Sequence, residues 1–329
     1  MGEQSDKPLV SSFLGSEGVP ELLRVPDVAG QSAGRGSVPS YPAVEAAVRA
    51  LARVVGYAVW LRTPDGATLD MSDTETATAR NLVSSVLRRH PEGAELTDDE
   101  VEQLLGAYGI TVWPERPATS LEEAQAAGEE LGWDVVLKAT AGHLRERPDL
   151  AHVWRNIDTP QEMADAWASL NAVITSTDQA GFVVQKNAPP GVPVAIGSME
   201  DPLFGPVLSF GIAGPMTELL GDRAYRIPPI GERDAAAMVR EIKASPMLFG
   251  YRGSEVVDVG QVERLILRVA ELQHDLPQVS ALELPLVLVG PEQASVLRAS
   301  VRVDPVADSR TDWFARRLPT VPGDTQPGA

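Results

Sequence analysis

Residues 104–139 read LLGAYGITVWPERPATSLEEAQAAGEELGWDVVLKA, and the order of elements within them decides the fold class. Ser120 with Glu123 three residues later has capping-box spacing: the hydroxyl accepts from a helix N–H and the carboxylate reaches back, so a helix starts at 121. The run Val135–Ala139 is apolar and β-branched, which predicts a short strand with Lys138 near its end. The same alternation continues outward. Thr97 with Glu100, and Thr159 with Glu162, repeat the box, the latter with Pro160 at the first helical position, and Ser72 with Glu75 marks a further start. β-rich runs lie at Val153–Ile157, Phe182–Lys186, 192–198, 207–210, 286–289 and 296–303, and a helix opens near Glu232. Helices alternating with short strands predict a mixed α/β architecture of α+β lobes.

The chain has 329 residues, enough for two domains at roughly 150 residues each. With 28 Lys and Arg against 46 Asp and Glu, the net charge of −18 repels phosphate backbones and anionic lipid, so no nucleic-acid or membrane partner is expected. There is no cysteine, which excludes disulfides and thiolate chemistry. No run approaches the ~20 apolar residues of a membrane span, and a cytoplasmic location is expected.

The N-terminal stretch divides from the rest. KPLVSSFLG (7–15) predicts a strand, and after the Gly-rich AGQSAGRG (29–36) the residues Val44, Ala47, Val48, Leu51, Val55, Ala58 and Val59 form one apolar stripe on a helix over 43–62. The RxxGxA pattern of Arg53 to Ala58 falls inside that helix. One strand and one helix cannot close a parallel sheet, so residues 1–63 read as the end of a larger domain. Residues 64–92 read as a linker with one helix, 93–318 as the main domain and 319–329 as a disordered tail.

Several blocks carry a resemblance. Residues 104–139, VVQKNAPPGVPVAIG (183–197), DPLFGPVLSFGIAG (201–214), TELLGDRAYRIPPI (217–230) and LFGYRG (248–253) together resemble, in order and spacing, the ATP-grasp domain of NDP-forming acyl-CoA synthetases, the acetate-CoA ligase type. Residues 1–63 resemble the end of the flavodoxin-like CoA-ligase domain that precedes it. The resemblance implies ATP as cofactor, and it implies separate or upstream CoA-binding domains as partners. A GNAT acetyltransferase domain, fused to this module in actinobacterial proteins, is a further expected partner, and a homo-oligomer is compatible with the sequence.

The resemblance also assigns residues. Lys138 takes the place of the phosphate-contacting lysine, although an edge lysine extending its head to solvent fits the same pattern. Gln185, Lys186, Asn187 and Ala188 take the place of the adenine-reading hinge. Glu146 stands where the family carries its phosphoryl-accepting histidine, with His143 and His152 nearby. A carboxylate would accept phosphate as an acyl phosphate, a different nucleophile, so no catalytic residue is assigned. Leu284, Arg298 and Pro193 replace acidic or amide groups around the metal; leucine cannot ligate a hard cation and arginine repels one, so magnesium is not expected in the family's manner. Glu218 and Asp222 are acidic candidates, with Glu218 placed at the nucleotide, and Arg145, Arg147, Arg252 and Arg298, with Arg155, are candidate anion contacts. These readings favour a catalytically degenerate nucleotide- or CoA-binding regulatory or scaffolding module. The alternative is an active ADP-forming acid-CoA ligase half.

Overall fold

The computed structural model describes residues 7–13, 17–27, 32–62, 74–139, 153–173, 181–201, 203–253 and 255–306. Two compact units divide near Asp65. In the first, the expected strand shrinks to β1 (Ser11–Ser12), which pairs in parallel with β2 (Ser40–Tyr41). The expected helix is α1 (Val44–Arg62). Of its apolar stripe only Ala47 is buried, while Val44, Val48, Val55 and Val59 are exposed.

Among its described residues the second unit holds two antiparallel sheets. The larger has six strands in the order β10-β9-β8-β11-β12-β3: β3 (Ala94–Glu95), β8 (Val192–Asp201), β9 (Gly205–Ile212), β10 (Arg223–Arg226), β11 (Val279–Val289) and β12 (Ala294–Val303). Alternate residues of its central strands, such as Val194, Ile196, Leu208 and Phe210, enter a core shared with α2 (Thr76–Arg89), α3 (Asp98–Gly106), α7 (Glu232–Glu241) and α8 (Val259–Asp275). α6 (Pro215–Leu220) joins β9 to β10. Helix α8 supplies Val262, Ile266, Val269 and Leu272, all fully buried, each worth roughly 1.5–3 kcal/mol of apolar transfer. The stretch read as a linker carries α2, whose Ala79, Val83 and Val86 belong to this core. Its start also differs from the expectation: Glu75 holds the cap position without a side-chain cap bond, and Ser72 lies outside the described residues.

The smaller sheet has the order β4-β7-β5-β6: β4 (Glu115–Ala118), β5 (Val135–Ala139), β6 (Val153–Ile157) and β7 (Phe182–Lys186). Helices α4 (Leu121–Leu131) and α5 (Pro160–Val173) cover one face. The core there is built from Ala124, Ala127, Val135, Leu137, Met163, Leu170, Phe182 and Val184. Because side chains alternate across a strand, Val136, Lys138, Val183 and Gln185 must face the other way.

The caps explain why the helices start where they do. Thr97 and Glu100 form the full box, with Glu100 N to Thr97 Oγ1 at 3.4 Å and Thr97 N to Glu100 Oε2 at 3.0 Å. At α4 the box is shifted: Ser120 accepts from Glu123 N at 3.2 Å, but the Glu123 carboxylate takes Thr119 N and Oγ1, both at 2.7 Å. Among the described residues no helix is long and apolar enough to cross a membrane.

Candidate functional site

The chemistry gathers on the face of the smaller sheet opposite its helices. Glu115 lies directly opposite Gln185 across β4 and β7, Val136 lies opposite Gln185 across β5 and β7, and Lys138 is the diagonal neighbour two positions on. Lys138 Nζ donates to Gln185 Oε1. Gln185 Nε2 donates to Glu115 Oε2 at 3.1 Å and to the Leu297 carbonyl of β12 at 3.0 Å. One amide orientation satisfies all three contacts, and it ties the smaller sheet to the larger. Gln185 is 2% exposed, so each of its bonds replaces water that cannot reach it.

Burial pushes the Lys138 ammonium below its ordinary pKa; the Glu115 carboxylate opposes this and the Arg155 and Arg298 guanidinia reinforce it. Arg155 lies on β6 and Arg298 on β12, both exposed. Arg155 and Arg298 therefore each bear on Lys138, from a strand of either sheet.

The hinge residues are held by their surroundings. Lys186, on the helix-covered face, donates to the carbonyls of Leu131 at 2.8 Å and Trp133 at 3.1 Å, where the C-terminus of α4 leaves acceptors open. Its own backbone is engaged too: Lys186 N donates to Pro114 O at 3.0 Å and its carbonyl accepts from Trp113 Nε1 at 2.7 Å. Asn187 N donates to Asp134 O at 2.8 Å, and its side chain reaches Asp134 Oδ1 at 3.0 Å and Asn156 Oδ1 at 3.4 Å. Trp133, Asp134 and Asn156 have φ of 53°, 51° and 58°, a region costly for side chains larger than glycine. Lys186 and Asn187 thus hold the strained turn that leads into the strand carrying Lys138. Ala188 follows, half-buried.

Other assigned residues fall elsewhere. Arg252 sits in the 3-10 turn Tyr251–Gly253, its guanidinium 5.5 Å from the Tyr251 ring centroid. Asp222 accepts from Lys243 N and Ala244 N, both at 2.8 Å, and so braces the turn after α7. His143, Arg145, Glu146, Arg147 and His152, and the side chain of Glu218, lie outside the described residues. Sequence reasoning missed Glu115 and Trp113, whose roles depend on strand register and carry no local signal.

The residues at the expected metal positions do not fit magnesium. Leu284 is completely buried in the main core, next to the β11 irregularity at Pro285, and Pro193 offers no donor side chain. Arg298 is a cation. Among the described residues no three His, Asp or Glu stand together in a metal-binding group. A hard divalent ion wants several oxygen ligands, and these residues do not supply them.

The sequence profile of the ATP-grasp domain matches residues 88–303. Subunit beta of acetate-CoA ligase (ADP-forming) II from Pyrococcus furiosus is 37% identical over 185 residues, covering 55% of this chain and 78% of that one. Acetate-CoA ligase (ADP-forming) I from Archaeoglobus fulgidus is 31% identical over 287 residues, 86% of this chain and 40% of that protein. Among solved structures, the acetyl-coenzyme A synthetase 1 of Ca. Korarchaeum cryptofilum with coenzyme A, Ca-AMPCP and HgCl+ aligns at TM-score 0.59 and 30% identity, covering 68% of this chain and 99% of the other. With a profile match over most of its length and a beta subunit aligned over more than two thirds, this chain belongs to the ATP-grasp family of the ADP-forming acetate-CoA ligases.

Proposed function

We propose that the chain is a nucleotide-binding ATP-grasp module that acts beside CoA-binding domains as a regulatory or scaffolding partner, and that it does not run the family's phosphoryl relay. The observation that carries the reading is the Lys138–Gln185–Leu297 connection, which fixes an ammonium beside β12 on the sheet face opposite the helices. Lys138 would meet the nucleotide phosphates, and the 185–188 segment would border the base. The cofactor, when bound, supplies the transferable phosphoryl group; what this chain adds is the fixed charge that orients it. Against turnover stand Glu146 in the place of the phosphoryl-accepting histidine and the loss of metal donors at Leu284 and Arg298.

The identity to a beta subunit of a two-subunit ligase favours a second reading, an active half that needs its CoA-binding partner. Labelling with γ-phosphate-tagged ATP, in the presence of a CoA-binding subunit from a working ligase, separates the two. The proposal expects no phosphoenzyme and no acyl-CoA. Stoichiometric labelling, or acyl-CoA formation that Glu146→Gln abolishes, would establish the active half instead.

A further inference from the structure

We propose that the loop between α7 and α8 is the docking knob for the CoA-binding partner, which receives it in an apolar pocket with a carboxylate beside it; this rests on the reading above of a module acting beside CoA-binding domains. Met247, Phe249, Tyr251 and Val256 of the loop are all exposed, and so is Arg252. The backbone gathers them. Phe249 and Val256 pair across the loop as an antiparallel bridge, and the turn Tyr251–Gly253 lies between them. The loop is held from inside: Leu248 is completely buried and Val257 nearly so. Phe249 N donates to Pro246 O at 3.0 Å, Gly253 N to Gly250 O at 3.2 Å and Val257 N to Leu248 O at 3.4 Å. A hydrogen-bonded frame leaves little ordering to be lost when a partner closes over it, and aromatic residues, Met and Arg are the side chains that interfaces enrich.

Arg252 is where the loop departs from what stability alone would select. Its φ of 55° and ψ of 29° are left-handed backbone, between Gly250 at φ 82° and Gly253 at φ 83°. Glycine adopts that conformation freely and other residues adopt it at a cost. The arginine side chain is nevertheless exposed, its guanidinium 5.5 Å from the centroid of the neighbouring Tyr251 ring. Arg240, the other guanidinium at the knob, is committed within the chain: it lies 5.4 Å from the Phe249 centroid and pairs with Glu263 at 2.7 Å. Arg252 therefore calls for a carboxylate on the partner, and Glu255, exposed on the returning limb, calls for a cation. Two opposite charges beside an aromatic anchor fix the orientation of what docks. A second copy of this chain is disfavoured as the occupant, because each copy carries −18 and the two repel.

Calorimetric titration of the full chain into the CoA-binding subunit of a two-subunit acetate-CoA ligase tests this. The wild type should bind one partner per chain. Tyr251→Ala should weaken binding at least about tenfold, the scale of a buried aromatic anchor. Arg252→Gly should weaken it by a similar factor while melting no lower than the wild type, since glycine suits that backbone. Leu22→Ala, at an exposed apolar residue of the first unit, should bind like the wild type. If the partner binds and neither Tyr251→Ala nor Arg252→Gly weakens it, the knob is not the contact, while the reading of a module beside a CoA-binding partner stands. No binding by the wild type removes that reading and the knob with it. An Arg252→Gly chain that melts lower would make the arginine a structural residue and overturn its role here. A wild-type dimer in light scattering that Tyr251→Ala dissociates would overturn the named occupant in favour of a second copy.

Discussion

Lys138 is positioned by Gln185, whose side-chain amide accepts from the ammonium at one end and donates across to the Leu297 carbonyl at 3.0 Å at the other. The residue that would touch phosphate is therefore aligned by a contact with the opposite sheet. Replacing Gln185 by leucine leaves a buried carbonyl and a half-buried ammonium without this partner. The expected cost is about 1–3 kcal/mol of stability, read by denaturant unfolding, together with weaker ATP binding. A variant as stable as the wild type would show that the amide is dispensable to the packing.

A pair of glycines makes opposite predictions. A Cβ on Gly128 would stand 2.7 Å from Trp133 Cζ3, so Gly128→Val pushes the indole off α4 and disturbs the Gly132–Asp134 turn. Overpacking of this kind costs about 1–3 kcal/mol. A Cβ on Gly56 in α1 meets nothing within 4 Å, and Gly56→Ala should stabilise that helix by about 0.8–1 kcal/mol. Circular dichroism during denaturation checks both signs.

The α3 cap should give an acid-side signature. The Arg89 guanidinium, at 2.5 Å, and then the Thr97 backbone N–H hold the Glu100 carboxyl below its ordinary 4.5. A folded-state value below the unfolded one means stability that is present above pH 4.5 and lost as pH falls through the lower folded value. Glu100→Gln keeps a cap acceptor and should flatten the stability profile below pH 4.5. Thr97→Ala should cost about 1 kcal/mol, much of it independent of pH. An unchanged acid limb in Glu100→Gln would mean that the Arg89 pair contributes nothing.

Much of the smaller sheet is legible in the sequence: β5, β6 and β7 match the expected runs residue for residue, β5 and β7 because each is a short β-branched stretch that buries residues in the core, whereas β6 buries only Ile157. β4 is not legible. Its Glu-Arg-Pro-Ala sequence has no strand pattern and pairs only because β7 lies beside it. Helix α8 escapes for a related reason, since its cap residue Asp258 makes no side-chain cap bond and capping boxes are what mark the helix starts. At the site, Lys138 stands out as the charge ending an apolar strand. Gln185 is marked in the sequence only as part of the segment resembling the adenine-reading hinge, whereas its side chain does the connecting, a role that exists only once register sets Glu115 and Val136 opposite it.

Lys138 as the phosphate contact of a nucleotide site is the central claim, and titrating wild-type chain and Lys138→Met with ATP tests it most directly. The wild type should bind one ATP per chain. Lys138→Met should bind at least about tenfold more weakly, the scale of one lost charge-assisted bond to phosphate, in a chain that stays folded although the buried Gln185 Oε1 loses its donor. An affinity untouched by Lys138→Met, or no ATP binding by the folded wild type, would contradict the claim.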